Sequence, residues 1–158
     1  MIKAYADTNT NNTQDPGEPS DTAAKTWTLP TSVTPCTIKI TNGGWILTDD
    51  ADRGSFGGNA KETSTGGDSG NENYQDHGPT EPMHVKSINV LEVTCSPDQT
   101  RASIFGTATV NGTGTYDFRI DVQDLGEPGK LIDTYRIRLS NGYDSGEHKL
   151  RGGNVQIH

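Results

Sequence analysis

Between residues 100 and 140 the chain reads TRASIFGTATVNGTGTYDFRIDVQDLGEPGKLIDTYRIRLS, and this stretch does most to dictate the fold class. Tyr116, Phe118, Ile120 and Val122 alternate with Asp117, Arg119, Asp121 and Gln123, a period of two that puts apolar side chains on one face of a strand. Tyr135, Ile137 and Leu139 repeat the pattern, with Arg136, Arg138 and Ser140 on the other face. Asn111-Gly112 follows the apolar run ending at Val110 and signals a tight hairpin. Three consecutive antiparallel strands are expected.

The rest of the chain extends this reading. Residues 36–40 (CTIKI) and 45–48 (WILT) are strand-like runs on either side of Asn42-Gly43-Gly44, which is expected to turn. SFGGNAKE reads as a glycine-rich strand. Met83 to Cys95 is a long β-rich run whose apolar parity shifts near Val90-Leu91, the mark of a bulge. Residues 149–151 and 154–158 suggest a last hairpin across Gly152-Gly153. No window carries helical periodicity with caps. About ten short strands therefore predict an all-β domain over residues 26–158, an antiparallel β-sandwich or jelly roll. Residues 1–25 read as a polar leader or assembly arm, in which Ile2, Ala4 and Ala6 alternate with Lys3 and Tyr5, as an added strand would.

Only 29% of the residues are hydrophobic, and the deficit is concentrated in the leader and in residues 63–82. The net charge of −8 argues against nucleic acid and anionic membrane surfaces as partners. No stretch approaches the roughly 20 apolar residues that span a bilayer. Cys36 and Cys95 fit no metal-binding spacing, and one disulfide is the favoured reading, with two buried thiols as the alternative. A bridge would close a loop of about 60 residues and contribute on the order of 4 kcal/mol. It also implies an extracellular location, with an export signal removed from a chain whose first residues carry no apolar segment.

Over residues 36–158 the chain resembles the post-COAP-1 domain of bacterial secreted and surface proteins. The resemblance rests on CTIKITNGGWI, FGGNAK, NYQDHG, GTATVNGTGTYDFRIDV, DLGEPG, DTYRIRLSNGY and GGNVQIH, in that order. It implies an exported β-rich module and no assigned reaction.

Several side-chain groups bear on chemistry. Asp121, Asp124, Glu127 and Asp133 surround the loop DLGEPGKLID, where hard oxygens with Gly and Pro could hold Ca2+; a solvated turn is the alternative. Asp49, Asp50 and Asp52 crowd one turn and could share a cation or be compensated by Arg53; an ordinary exposed turn is the alternative. Asp7, Asn9 and Asn11 begin like a calcium loop, but Asn12 and Glu18 stand where Gly and Glu are required. Tyr74, Asp76 and His77, with Tyr143, form the candidate ligand-binding set. His77 beside Asp76 could orient an imidazole, yet His84 offers no third metal ligand and no HExxH occurs. Tyr74 and Tyr143 are expected in loops, free to stack on a sugar, whereas Tyr116, Tyr135 and Trp45 are expected in the core. There is no G-x-S-x-G nucleophile elbow and no phosphate-binding glycine loop.

The expected function is thus a non-enzymatic structural or interaction module of a surface assembly, stabilised by Ca2+ and associating with copies of itself or other surface proteins. A carbohydrate-binding module is the alternative, and a secreted hydrolase a third class.

Overall fold

A computed structural model describes residues 2–5, 20–23, 37–62, 67–79 and 82–158. The chain divides into two units, Met1–Val33 and Thr34–His158. In the first, β1 (Ile2–Tyr5) pairs antiparallel with β2 (Ser20–Ala23), with Ile2 opposite Ala23. The alternating segment of the leader is therefore a strand, and its partner lies in the leader itself. Trp27 and the acidic run from Asp7 lie outside the described residues. So does Cys36, and with it the Cys36–Cys95 pairing expected from sequence.

The second unit contains β3 (Lys39–Leu47), β4 (Arg53–Lys61), β5 (Ser69–Asp76), β6 (Met83–Cys95), β7 (Arg101–Val110), β8 (Thr113–Gln123), β9 (Thr134–Leu139), β10 (His148–Lys149) and β11 (Gly152–Ile157). All pair antiparallel in one nine-stranded sheet, in the order β10-β9-β8-β7-β6-β5-β4-β3-β11. The all-β, antiparallel reading holds, and no helix occurs among the described residues. The two facing sheets of a sandwich are not what these residues form. One sheet curls on itself instead.

The curl is measured by the core. Phe56 on β4 stacks on Tyr135 of β9 with ring centroids 3.8 Å apart. Five strand spacings separate them, about 24 Å in a flat sheet. Alternate residues of each strand point inward: Phe118, Ile120 and Val122 from β8, and Tyr135, Ile137 and Leu139 from β9, are all buried. Tyr116 and Trp45 are only half-buried; Trp45 lies on the outer face, with the Arg53 guanidinium 5.0 Å from its ring centre.

The hairpin signal is realised in detail. Asn111 (φ 51°) and Gly112 (φ 75°) both take the left-handed conformation that a two-residue β-turn of the primed kind demands. Immediately after it, Gly114 (φ 69°) supplies the extra residue of a bulge, since Val110 faces Thr113 while Ala108 faces Tyr116. The bulge expected in β6 is present twice, at Ile88 and at Leu91, and each of these apolar side chains is thrown out to solvent.

Two local expectations fail for a shared reason. Asn42-Gly43-Gly44 does not turn; it is the middle of β3. A Cβ on Gly44 would lie 2.2 Å from the Gly152 carbonyl oxygen, and one on Gly153 would lie 2.0 Å from that of Gly43. These glycines serve close contact between β3 and β11, not a reversal of the chain. The terminal hairpin is not formed either, because β10 pairs with β9 and β11 with β3. The corner between them is held elsewhere: Leu150 N donates to Asp133 O, Leu131 N donates to Leu150 O, and Arg151 N donates to Trp45 O.

Candidate ligand-binding site

The carboxylates of the loop after β8 do not converge. Asp133 is fully buried, and its two oxygens accept the backbone N–H of Leu125 (2.9 Å) and of Val155 (3.0 Å). Asp124 accepts Ile157 N at 2.9 Å. Glu127 accepts the side-chain amides of Asn154 and Gln156, both at 2.9 Å, and these bonds hold its carboxyl below the usual range. Asp121 lies on the outer face, bonded to Ser103, Arg119 and Arg138. Among the described residues no three His, Cys, Asp or Glu side chains gather as a metal site would require. Three of the loop carboxylates grouped by sequence as calcium ligands, Asp124, Glu127 and Asp133, instead seal an edge. His158 and Lys39 exchange both backbone bonds, so by alternation the N–H groups of Val155 and Ile157 point away from β3. Asp133 and Asp124 take those two donors. Asp68 serves β6 in the same way, accepting Val93 N at 2.7 Å.

The second acidic group is also divided. Asp49 bonds His148 Nε2 at 2.8 Å, whereas Asp50 and Asp52 face a cleft of about 820 Å³. This cleft is where the predicted ligand residues meet. Tyr143 and Asp76 line it together with Asp50, Asp52, Asn141 and Asp144, and Pro79 and Met83 add apolar surface. Period two places Glu72, Tyr74 and Asp76 on the inner face of β5, so Tyr74 is a core strand residue and not the free loop aromatic expected. It is 1% exposed. Its hydroxyl lies 2.5 Å from that of Tyr143, which donates to Asp76 Oδ2 at 2.6 Å. Each hydroxyl has one proton, so Tyr74 must donate to Tyr143, giving a directed chain from core to cleft. Gly78 N closes it by donating to Asp76 Oδ1 at 2.8 Å.

Burial, followed by hydrogen bonding and the nearby carboxylate charges, pushes the Tyr143 hydroxyl well above its ordinary value; burial first, and the charges of Asp76 and Asp52, do the same to Tyr74. Both phenols stay protonated, so neither can serve as a base or as a phenolate nucleophile near neutral pH. Asp50 and Asp52 have no side-chain hydrogen bond or ion pair within the described residues. The cleft therefore offers free carboxylate acceptors on a fixed wall.

His77 is not part of it. Its Nε2 lies 2.7 Å from Ser55 Oγ on the exposed side of β4, and the expected His77–Asp76 pairing is absent because adjacent strand residues face opposite ways.

Inside the curl, sequence reading missed a buried pair. Asn42 Nδ2 donates to both oxygens of Glu72 at 3.1 Å, and Glu72 is 3% exposed. Burial pushes its pKa up to about 7 against the lowering effect of Asn42. The signal was the shared parity of Glu72 with Tyr74 and Asp76.

Set against family models, curated proteins and solved structures, the chain has no match.

Proposed function

We propose that this chain is a non-enzymatic, extracellular interaction module of a bacterial surface or secreted assembly, and that the Asp76–Tyr143 cleft receives its partner. The observation that carries the reading is the directed bond chain from Tyr74 through Tyr143 to Asp76, which fixes one wall of a cleft whose rim carboxylates, Asp50 and Asp52, have no side-chain partner among the described residues. Fixed acceptors of this kind suit a donor-rich partner. A polyhydroxylated sugar meets that description and gives the carbohydrate-binding reading its support; a lysine- or arginine-bearing surface of another assembly protein, or of a second copy, meets it equally. The location rests on the resemblance to the post-COAP-1 domain and on the expected Cys36–Cys95 bridge. With the loop carboxylates already committed to backbone and side-chain donors, the reading is of a module that holds its shape without Ca2+.

The test is a glycan array run beside light scattering, on the intact chain and on the Asp50→Asn/Asp52→Asn variant. Glycan binding lost in the variant supports the sugar reading, and a variant-sensitive dimer supports self-association. A folded chain that is monomeric, silent on the array and indifferent to the variant would remove the cleft from the proposal.

A further inference from the structure

The outer face of β7, β8 and β9 collects four of the six arginines of a chain whose net charge is −8. Register sets them in rows. Arg119 faces Arg138 across β8 and β9, Asp121 faces Arg136, and Arg101 on β7 faces Gln123. Together they border a depression of about 310 Å³, within the lower range of small-molecule sites.

The charges there are unequally satisfied. Arg136 is closed off by Asp144, which accepts both Nε (2.9 Å) and Nη2 (2.5 Å). Asp121 serves two guanidinia at once, Arg119 Nε at 2.8 Å and Arg138 Nη2 at 2.6 Å, along with Ser103 Oγ at 2.6 Å. Burial works to raise the Asp121 carboxyl, and these three hydrogen bonds outweigh it, so the group stays charged and has little left to offer. Glu147 is occupied by Gln123 and Thr134. That leaves a surplus of donors. Within the described residues the exposed Arg101 side chain has no hydrogen bond or ion pair, and Arg138 Nε, though cut off from solvent, has no acceptor there either. A guanidinium offers five N–H donors in a planar fork that matches carboxylate and sulfate oxygens. The arginines of this face leave most of theirs unused.

We infer that this face is a second binding site, for an anionic polysaccharide whose carboxylate or sulfate groups meet Arg101, Arg119 and Arg138 while its hydroxyls meet Ser103, Gln123 and Thr134. The hydroxyl and amide side chains between the arginines favour a sugar chain over a bare anion. The Phe105 ring lies 5.3 Å from the Arg119 guanidinium and attracts that cation toward the sheet. This site takes a ligand of the charge that the acidic cleft repels, so it stands whether or not the cleft binds a partner.

The test is titration of the intact chain at physiological salt with polygalacturonate (carboxylate only), dextran sulfate (sulfate only), neutral dextran and inorganic polyphosphate. Binding of one or both charged glycans, with neutral dextran silent, is expected, and which of the two binds identifies the anionic group. Arg101→Glu, an exposed change that breaks no bond, is expected to weaken it at least tenfold, while Lys61→Glu, an equal charge change on β4, leaves it within twofold. Polyphosphate binding as tight as the glycans, an equal loss in both variants, or no binding to either charged glycan would each overturn the inference.

Discussion

The carboxylate of Asp133 accepts the backbone N–H of Val155 at 3.0 Å, across the one side of β11 that has no strand beside it among the described residues. An open strand edge presents unpaired donors that invite pairing with another chain. Here Asp133 and Asp124 occupy the donors of Val155 and Ile157, and Glu127 gathers the Asn154 and Gln156 side chains alongside. A loop between β8 and β9 thereby finishes a sheet edge that no described strand covers.

Asp133→Ala should therefore be among the most damaging single changes. It strands the buried N–H of Val155, at about 1–3 kcal/mol, and takes the acceptor from the partly exposed N–H of Leu125 as well. A fall in Tm of roughly 10 °C is expected. Asp133→Asn keeps one acceptor and should fall between. Calorimetry showing Asp133→Ala within a degree or two of the parent would remove the edge-sealing role.

The same geometry predicts indifference to calcium. A cation bound at a hundredfold excess over Kd stabilises the folded state by about 2.7 kcal/mol. Asp124, Glu127 and Asp133 already accept donors from the protein, so thermal unfolding in EDTA and in millimolar Ca2+ should give the same midpoint. A rise of many degrees with Ca2+ would show that these oxygens can be recruited as ligands.

What the sequence made legible was whatever is local. Alternation placed β8 and β9 and chose their buried faces, Asn111-Gly112 placed the hairpin, and the parity shift at Val90-Leu91 placed a bulge. What escaped depends on partners far along the chain. Gly43-Gly44 looks like a turn because its true reason, the backbone of Gly152-Gly153, arrives more than a hundred residues later. Asp124 and Asp133 look like metal ligands because the amides they serve, on Ile157 and Val155, lie 33 and 22 residues away. Two facing sheets and one curled sheet produce the same alternation, and only the unbroken hydrogen-bonded order of the nine strands distinguishes them. Three of the four residues proposed for ligand binding do meet, yet Tyr74 reaches the cleft from the core and His77 points away from it.

The chain of hydroxyls should behave as a unit. Tyr143→Phe leaves the buried Tyr74 hydroxyl without its acceptor and Asp76 Oδ2 without its donor, at about 1–3 kcal/mol in urea unfolding. Tyr74→Phe in the same background removes the orphaned hydroxyl, so the double variant should lose about 1 kcal/mol less than the sum of the singles. Strict additivity would mean that the two phenols do not depend on each other.

Glu72 sets a pH dependence of definite sign. Burial raises its folded pKa to about 7 from an ordinary 4.5, so between those values the folded chain binds more protons than the unfolded one. Its stabilising contribution is complete below pH 4.5 and is lost as pH rises through 7, a change on the order of 3 kcal/mol. Asp121 and Asp144 act oppositely: hydrogen bonds hold both below their ordinary values, so what they add is present above the unfolded carboxylate range and disappears as pH falls. Stability should therefore peak in mildly acidic solution and decline toward pH 8. Glu72→Gln keeps an acceptor for Asn42 Nδ2 and removes the charge, so it should flatten the decline between pH 5 and pH 8 and leave the acid limb intact. Urea unfolding at each pH measures both limbs, and a Glu72→Gln variant with the parent's slope above pH 5 would place the responsible group elsewhere.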